Sequence, residues 1–276
     1  DLYKTYDQFL RATHTTEHWS TSTRVVYSRS DNDFMYTNYD KIGHPVERNK
    51  SGYFDDVHAL QEVYYNSPTA GRFGAMLWFT HNLRGLPFLS VDYKENTDFK
   101  NEHRQDAVRA VLSWDKTYER WTVGARVGYV WQDIAYDYTT TRETFNTDIT
   151  HSRSISHQGY LQANADWMPT SSLLLSADAA VYYNHVKSED KSPFHIGDNY
   201  NLGRVECNLN LSAKYRPVKN LSLSAVLREE CYKRDVVPVI PALFAEYQIP
   251  LKSSPSREVR RGVILKASVA RNYRYP

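Results

Sequence analysis

The sequence predicts an all-β fold: an antiparallel up-and-down sheet of about twelve strands that forms a segment of a transmembrane β-barrel. Three observations predict it. Apolar and polar residues alternate over runs longer than ten residues. The apolar runs end in aromatic residues at a spacing that matches a bilayer. Short connections alternate with long polar ones.

The clearest strand runs from Trp121 to Gln132. Trp121, Val123, Ala125, Val127, Tyr129 and Trp131 share one face; Thr122, Gly124, Arg126, Gly128, Val130 and Gln132 share the other. The next strand sets Leu161, Ala163, Ala165 and Trp167 against Gln162, Asn164 and Asp166. A third carries Leu175, Ala177, Ala179, Val181 and Tyr183 on its apolar face, with Leu174 and Ala180 diluting the opposite one. Val205, Cys207, Leu209, Leu211, Ala213 and Tyr215 alternate with Glu206, Asn208, Asn210, Ser212 and Lys214. Near the end, Val263, Leu265, Ala267 and Val269 alternate with Lys266 and Ser268. Each is a period-two pattern with one apolar face.

The aromatic ends turn this pattern into a length. From Trp121 to Trp131 is about 34 Å of strand at about 3.4 Å per residue. Tilted by about 45°, it spans about 24 Å, close to the apolar band of an outer-membrane barrel. Runs such as 120–138 and 171–184 also exceed the usual soluble strand of about 5–6 residues. Small residues crowd the apolar faces, where the core of a soluble β-sandwich needs bulk to interdigitate. Short connections are predicted near 15–17, 67–71, 116–119, 169–171 and 217–220, and long ones near 40–52, 83–96, 141–148 and 189–200. Short turns at one end and long loops at the other are the asymmetry of bacterial barrels. No internal repeat or linker divides residues 1–276, so a single domain is expected.

Composition narrows the function. Lys+Arg 34 against Asp+Glu 32 leaves a net charge of +2, so no basic field points to nucleic acid. No apolar run approaches the roughly 18 residues of a membrane-spanning helix, and the start, Asp1-Leu2-Tyr3-Lys4, has no signal-peptide core. Tyr, at 22 residues, outnumbers Trp (6) and Phe (10) together, which suits boundaries between oil and water. No Gly-x-Ser-x-Gly, Gly-rich phosphate loop, His-Glu-x-x-His or Cys-x-x-Cys occurs, so no enzyme is expected. Glu229 and Glu230 are adjacent, so on a strand they point to opposite faces and form no glycosidase pair.

The chain ends Ala267-Ser268-Val269-Ala270-Arg271-Asn272-Tyr273-Arg274-Tyr275-Pro276. This resembles the aromatic-Arg-x-Pro segment of TonB-dependent outer-membrane receptors, with vitamin B12 and siderophore receptors the nearest relatives. Pro238 to Tyr247 is similar to the family's loop and strand entering that motif. Asp31 to Asn38 is similar to an early barrel strand running out to an extracellular loop. The resemblance implies a 22-stranded barrel of which 1–276 is the middle part, lacking the plug domain and the C-terminal strands. It implies energised uptake of a scarce ligand, such as cobalamin or an iron–siderophore, a corrinoid or metal chelate. Its implied partners are outer-membrane lipid, the protein's own plug domain and TonB; its implied place is the cell outer membrane. A plugless porin-like barrel and a soluble β-sandwich glycan-binding module are the alternatives.

Tyr36, Arg84, Tyr138 and Arg142 are the candidate ligand contacts, placed by residue type on the upper polar wall and loops. Aromatic rings stack on flat ligands, and Arg pairs with phosphate or carboxylate; the same residues can equally line a wet wall. Asp31, Asn32 and Asp33 are oxygen-rich but lack the Gly and distal Glu of a calcium loop. His14 and His18 share a strand face about 13 Å apart, or approach across a turn at 15–17 with two ligands still missing. No metal and no cofactor are expected. A turn centred on Lys219 pairs Tyr215 with Leu223, Ala213 with Ala225 and Leu211 with Leu227, and brings Cys207 opposite Cys231. Free thiols are expected there, because directly opposed pairs seldom reach relaxed disulfide geometry. The same register turns Glu229 onto the apolar face, so it lies above the apolar band or beside a bulge.

Overall fold

The computed structural model describes residues 3–49, 51–87, 100–141, 147–192, 199–232, 235–236, 238–250 and 262–271. In chain order the strands are β1 (Thr5–Thr15), β2 (Trp19–Ser30), β3 (Met35–Thr37), β4 (Val46–Arg48), β5 (Phe54–Ser67), β6 (Gly71–Gly85), β7 (Lys100–Thr117), β8 (Trp121–Thr141), β9 (Thr147–Thr170), β10 (Leu173–Asp190), β11 (Tyr200–Val218), β12 (Leu221–Tyr232), β13 (Asp235–Val236), β14 (Ile240–Pro250) and β15 (Gly262–Ala270). Twelve of them, all but β3, β4 and β13, join in chain order into one antiparallel sheet, with β13 beside β12. The strands β3 and β4 form a separate ribbon.

Alternation sets the register, because a one-residue slip would exchange the faces. Trp121 lies opposite Trp167, Val123 opposite Ala165, and Val127 opposite Leu161. Leu175 faces both Trp167 and Ala213. Tyr215 faces Leu223, Ala213 faces Ala225 and Leu211 faces Leu227, the register predicted from a turn at Lys219. The alternating apolar runs of these strands therefore share one face, while single apolar residues such as Val26, Met76, Trp78 and Val130 lie on the other.

That face is not covered. Every contact between elements joins ladder neighbours, so no second sheet packs across the first among the described residues. Leu161, Val127, Leu112 and Trp121 stand exposed on it. The only buried apolar residues described are Ala107 and Ala180, both on the polar face. The two-sheet sandwich alternative is thus excluded, because its apolar faces would bury each other. Chain neighbours show which way the sheet curls: Ala179, on the apolar face, is exposed, whereas Ala180, on the polar face, is 3% exposed. Crowding on the polar side makes it the concave one.

Aromatic rings rim the apolar face at the short-turn end. Trp19 and Tyr65 lie 4.6 Å apart, and Tyr65 and Phe73 stack at 6.4 Å. Phe73 is opposite Trp114, whose Nε1–H donates to the Ala70 carbonyl at 2.8 Å. At this end, two or three residues join β1 to β2, β5 to β6, β7 to β8, β9 to β10 and β11 to β12, as predicted. Gly71 enters β6 at φ +94°, a conformation a side chain resists. With the turns in line, unequal strand lengths fall at the far end: β2 has 12 residues and β9 has 24.

Two expectations need correction. Cys207 and Cys231 lie opposite each other as predicted, but they form a disulfide, with Cα atoms 5.0 Å apart. That separation lies within the disulfide range, so opposition across this pair does not keep the thiols apart. The segment 31–38 is not a barrel strand. The chain leaves the sheet after Ser30, and 35–37 pairs with 46–48 in the small ribbon. Glu229 faces Leu209 on the apolar face, without a register shift on the β11 side. It stands eight residues above Leu221, the height of Tyr129 above Trp121 and one outward position below that of Trp131.

Candidate functional site

The concave face presents the functional chemistry, and alternation along each strand places it there. Tyrosines lie flat where glycine leaves room. A Cβ at Gly128 would collide with the Tyr160 ring, and one at Gly74 would crowd Tyr64. Laid over Gly128, Tyr160 sits 6.1 Å from Tyr182, its cross-strand neighbour. Guanidinium groups cover other rings: Arg72 lies 4.4 Å from the Tyr64 centroid, Arg109 4.8 Å from Trp78 and Arg204 5.6 Å from Tyr232. Polar pairs fill the gaps, with Arg24 Nη2 3.1 Å from Glu62 and Gln162 Nε2 donating to Asp178 at 2.9 Å. This wall can stack flat groups and hydrogen-bond polar ones. The ring–glycine and ring–guanidinium pairs are invisible to alternation alone, because cross-strand register creates them; an inward Gly opposite a Tyr is the signal that finds them.

The sequence-predicted contacts divide between two places. Arg84 and Tyr138 are on the concave wall, near its loop end. Arg84 is opposite Phe54 and His103, and His103 is opposite Tyr136, two residues from Tyr138. Arg84 Nη2 lies 3.7 Å from Asp56, which also accepts from Asn82. Tyr36 is not on the wall. It belongs to the β3–β4 ribbon, where its hydroxyl donates to Glu47 at 3.3 Å. Arg142 lies outside the described residues.

The ribbon is built around Glu47. Asn38 Nδ2 donates to this carboxylate at 2.7 Å and Lys41 Nζ at 2.6 Å, and both Asn38 and Glu47 are buried. Lys41 above all, then Asn38, holds the Glu47 pKa below its ordinary 4.5. Met35, Tyr39, Ile42 and Val46 stand exposed on the ribbon. Asp31 and Asp33 at its base bind cations of the chain itself: Lys4 lies 3.8 Å and 3.4 Å from them, Arg29 pairs with Asp31 and Arg48 with Asp33. His14 is opposite Thr21, and His18 meets the edge of Tyr65. No group of three His, Cys, Asp or Glu side chains with metal-site geometry occurs among the described residues.

The sequence matches no family model and no curated protein. Solved structures share its fold. The chain is similar to the outer membrane transporter YddB from Escherichia coli, with TM-score 0.60 and 13% identity over 88% of this chain and 36% of that one. The RagAB peptide transporter matches with TM-score 0.56 and 10% identity, over 90% and 35%. The ferric-catecholate import receptor Fiu from E. coli K12 matches with TM-score 0.50 and 10% identity, over 96% and 48%. The chain therefore spans between about a third and a half of the length of these proteins. In all three the likeness of fold extends along nearly the whole of this sheet.

Proposed function

We propose that residues 1–276 form part of the barrel of a TonB-dependent outer-membrane receptor that imports a scarce ligand, such as cobalamin or an iron–siderophore. One observation carries this reading: a single curled sheet with its apolar face bare and rimmed by aromatic rings, and its polar face turned inward. Such a sheet is stable where hydrocarbon covers the outside and water fills the inside. The fold shared with an outer membrane transporter and an import receptor supports it. A plug domain and further strands in the rest of the protein, together with TonB, would supply gating and energy. Arg84, Tyr138, Tyr36 and Arg142 remain the proposed ligand contacts. The chemistry of the wall is binding and orientation; ring faces and paired charges hold a ligand without changing it.

The test is uptake by cells carrying the full-length gene, using labelled cobalamin and labelled ferric siderophores in parallel. Accumulation that a protonophore abolishes supports the receptor. Uptake of neither ligand, with ion conductance across planar bilayers, identifies an open pore instead.

A further inference from the structure

The strands β7 to β10 continue past the apolar band toward the long loops, and their outward face changes character there. On β7 and β8 the last large apolar residues are Val108 and Trp131, opposite each other, and on β9 Ile155 reaches one row higher. The next outward positions are Asp106 and Asp133, again opposite each other. Lys187 stands in that same row, across Ile155; Arg104 and Arg153 stand one outward position higher and Lys100 three, each on the same face as the band below. Register runs without a shift through this part of β7, β8 and β9.

These charges form one belt. Arg153 grips Asp133 through Nε, at 2.9 and 3.2 Å from the two carboxylate oxygens, and through Nη2. Arg153 also lies opposite Glu189, which Lys187 holds. Arg104 Nε is 3.4 Å from Asp106, and Lys100 bridges Glu102 at 2.9 Å and Asp137 at 3.4 Å. In every pair the carboxylate is recessed and the cation faces out. The extreme is Arg153, its side chain 48% exposed over Asp133 at 5%.

We propose that this belt docks the phosphate-bearing headgroups of the lipids around the sheet. The inference rests on the membrane reading above. Two features argue for a lipid. The belt is continuous with the apolar band, so one amphiphile can lay acyl chains on the band and its headgroup on the belt. Its height also fits: at about 3.4 Å per residue and the same tilt, Lys187 stands about 5 Å above the band and Arg104 and Arg153 about 10 Å, from where long side chains reach down into the headgroup layer of about 5–8 Å, with Lys100 higher, at about 19 Å. Recessed carboxylates hold the guanidinium and ammonium groups in place, so little side-chain order is lost when a phosphate arrives. The fork on Asp133 uses Nε and Nη2 of Arg153, leaving Nη1 outside it.

The experiment places the intact chain in nanodiscs of equal phosphatidylglycerol and phosphatidylcholine and measures which lipid stays with it in native mass spectrometry. The expected result is enrichment of phosphatidylglycerol by about fivefold, the order given by one cation at a membrane surface. The triple variant Lys100→Gln, Arg104→Gln, Lys187→Gln should abolish the enrichment. So should Arg153→Gln with Asp133→Asn, which removes the buried charge along with its partner. Arg204→Gln, on the concave face, should leave it intact. No enrichment in the parent chain, or enrichment that survives both belt variants, overturns the proposal. Loss of enrichment in 10 mM inorganic phosphate also overturns it, in favour of a free-phosphate site. A chain that fails to enter nanodiscs at all overturns the membrane reading itself.

Discussion

Trp121 and Trp167 stack across the β8–β9 ladder, their centroids 5.0 Å apart and their planes 8° from parallel. Both rings remain exposed on the apolar face. In a double-mutant cycle with alanine, the pair should show a coupling of about 0.5–1.5 kcal/mol beyond the area it covers. Brominated lipids should quench both residues strongly, with the deepest quenching from bromine near the headgroup. Equal quenching of Trp78, on the other face, would count against the assignment of faces.

Chain neighbours on opposite faces give a second test. Ala180→Leu forces bulk into the crowded concave side and should destabilise the sheet by about 1–3 kcal/mol. Ala179→Leu adds an exposed apolar group and should change stability by less than about 0.5 kcal/mol. Urea unfolding from lipid vesicles reads both.

Gly128 and Tyr160 form a third. Gly128→Ala should displace the ring and cost about 1–3 kcal/mol. Combined with Tyr160→Ala, the same substitution should cost much less, because the atom it strikes is gone.

The disulfide Cys207–Cys231 spans 24 positions. By loop-closure entropy, replacing both cysteines with serine should cost about 3 kcal/mol. Maleimide should label neither residue in the unfolded, unreduced chain and both after reduction; labelling without reduction would refute the bond.

Glu47 predicts a pH dependence confined to the ribbon. Its folded pKa lies below its ordinary value, so the stability it lends is complete above pH 4.5. It fades as pH falls through the lowered pKa. Amide exchange at 35–48 should accelerate over that acid range, and Glu47→Gln should remove the pH dependence of this acceleration.

The main sheet is legible in the sequence because burial on one side writes itself into every second residue. Trp121 to Trp131 states strand, face and length together. Opposed pairs such as Ala213 and Ala225 follow once a turn is placed. The ribbon is not legible, since Met35–Thr37 and Val46–Arg48 are too short to show a period. Its organising contacts, Asn38 and Lys41 on Glu47, join residues with no common pattern. Tyr36 therefore reads as a wall residue when its hydroxyl is committed inside the ribbon. The thiol pair is legible in position but not in bonding, which turns on a separation of 5.0 Å that spacing along the chain does not encode.

Unequal strand lengths have a geometric outcome. The 12 additional residues of β9 over β2 raise one flank by about 29 Å at the same tilt. The parapet is lopsided, high at β8–β9 and low at β1–β2. The edge steps down from β8–β9 to β1–β2, and the ribbon that carries Tyr39 and Ile42 joins β2 to β5 on the low side.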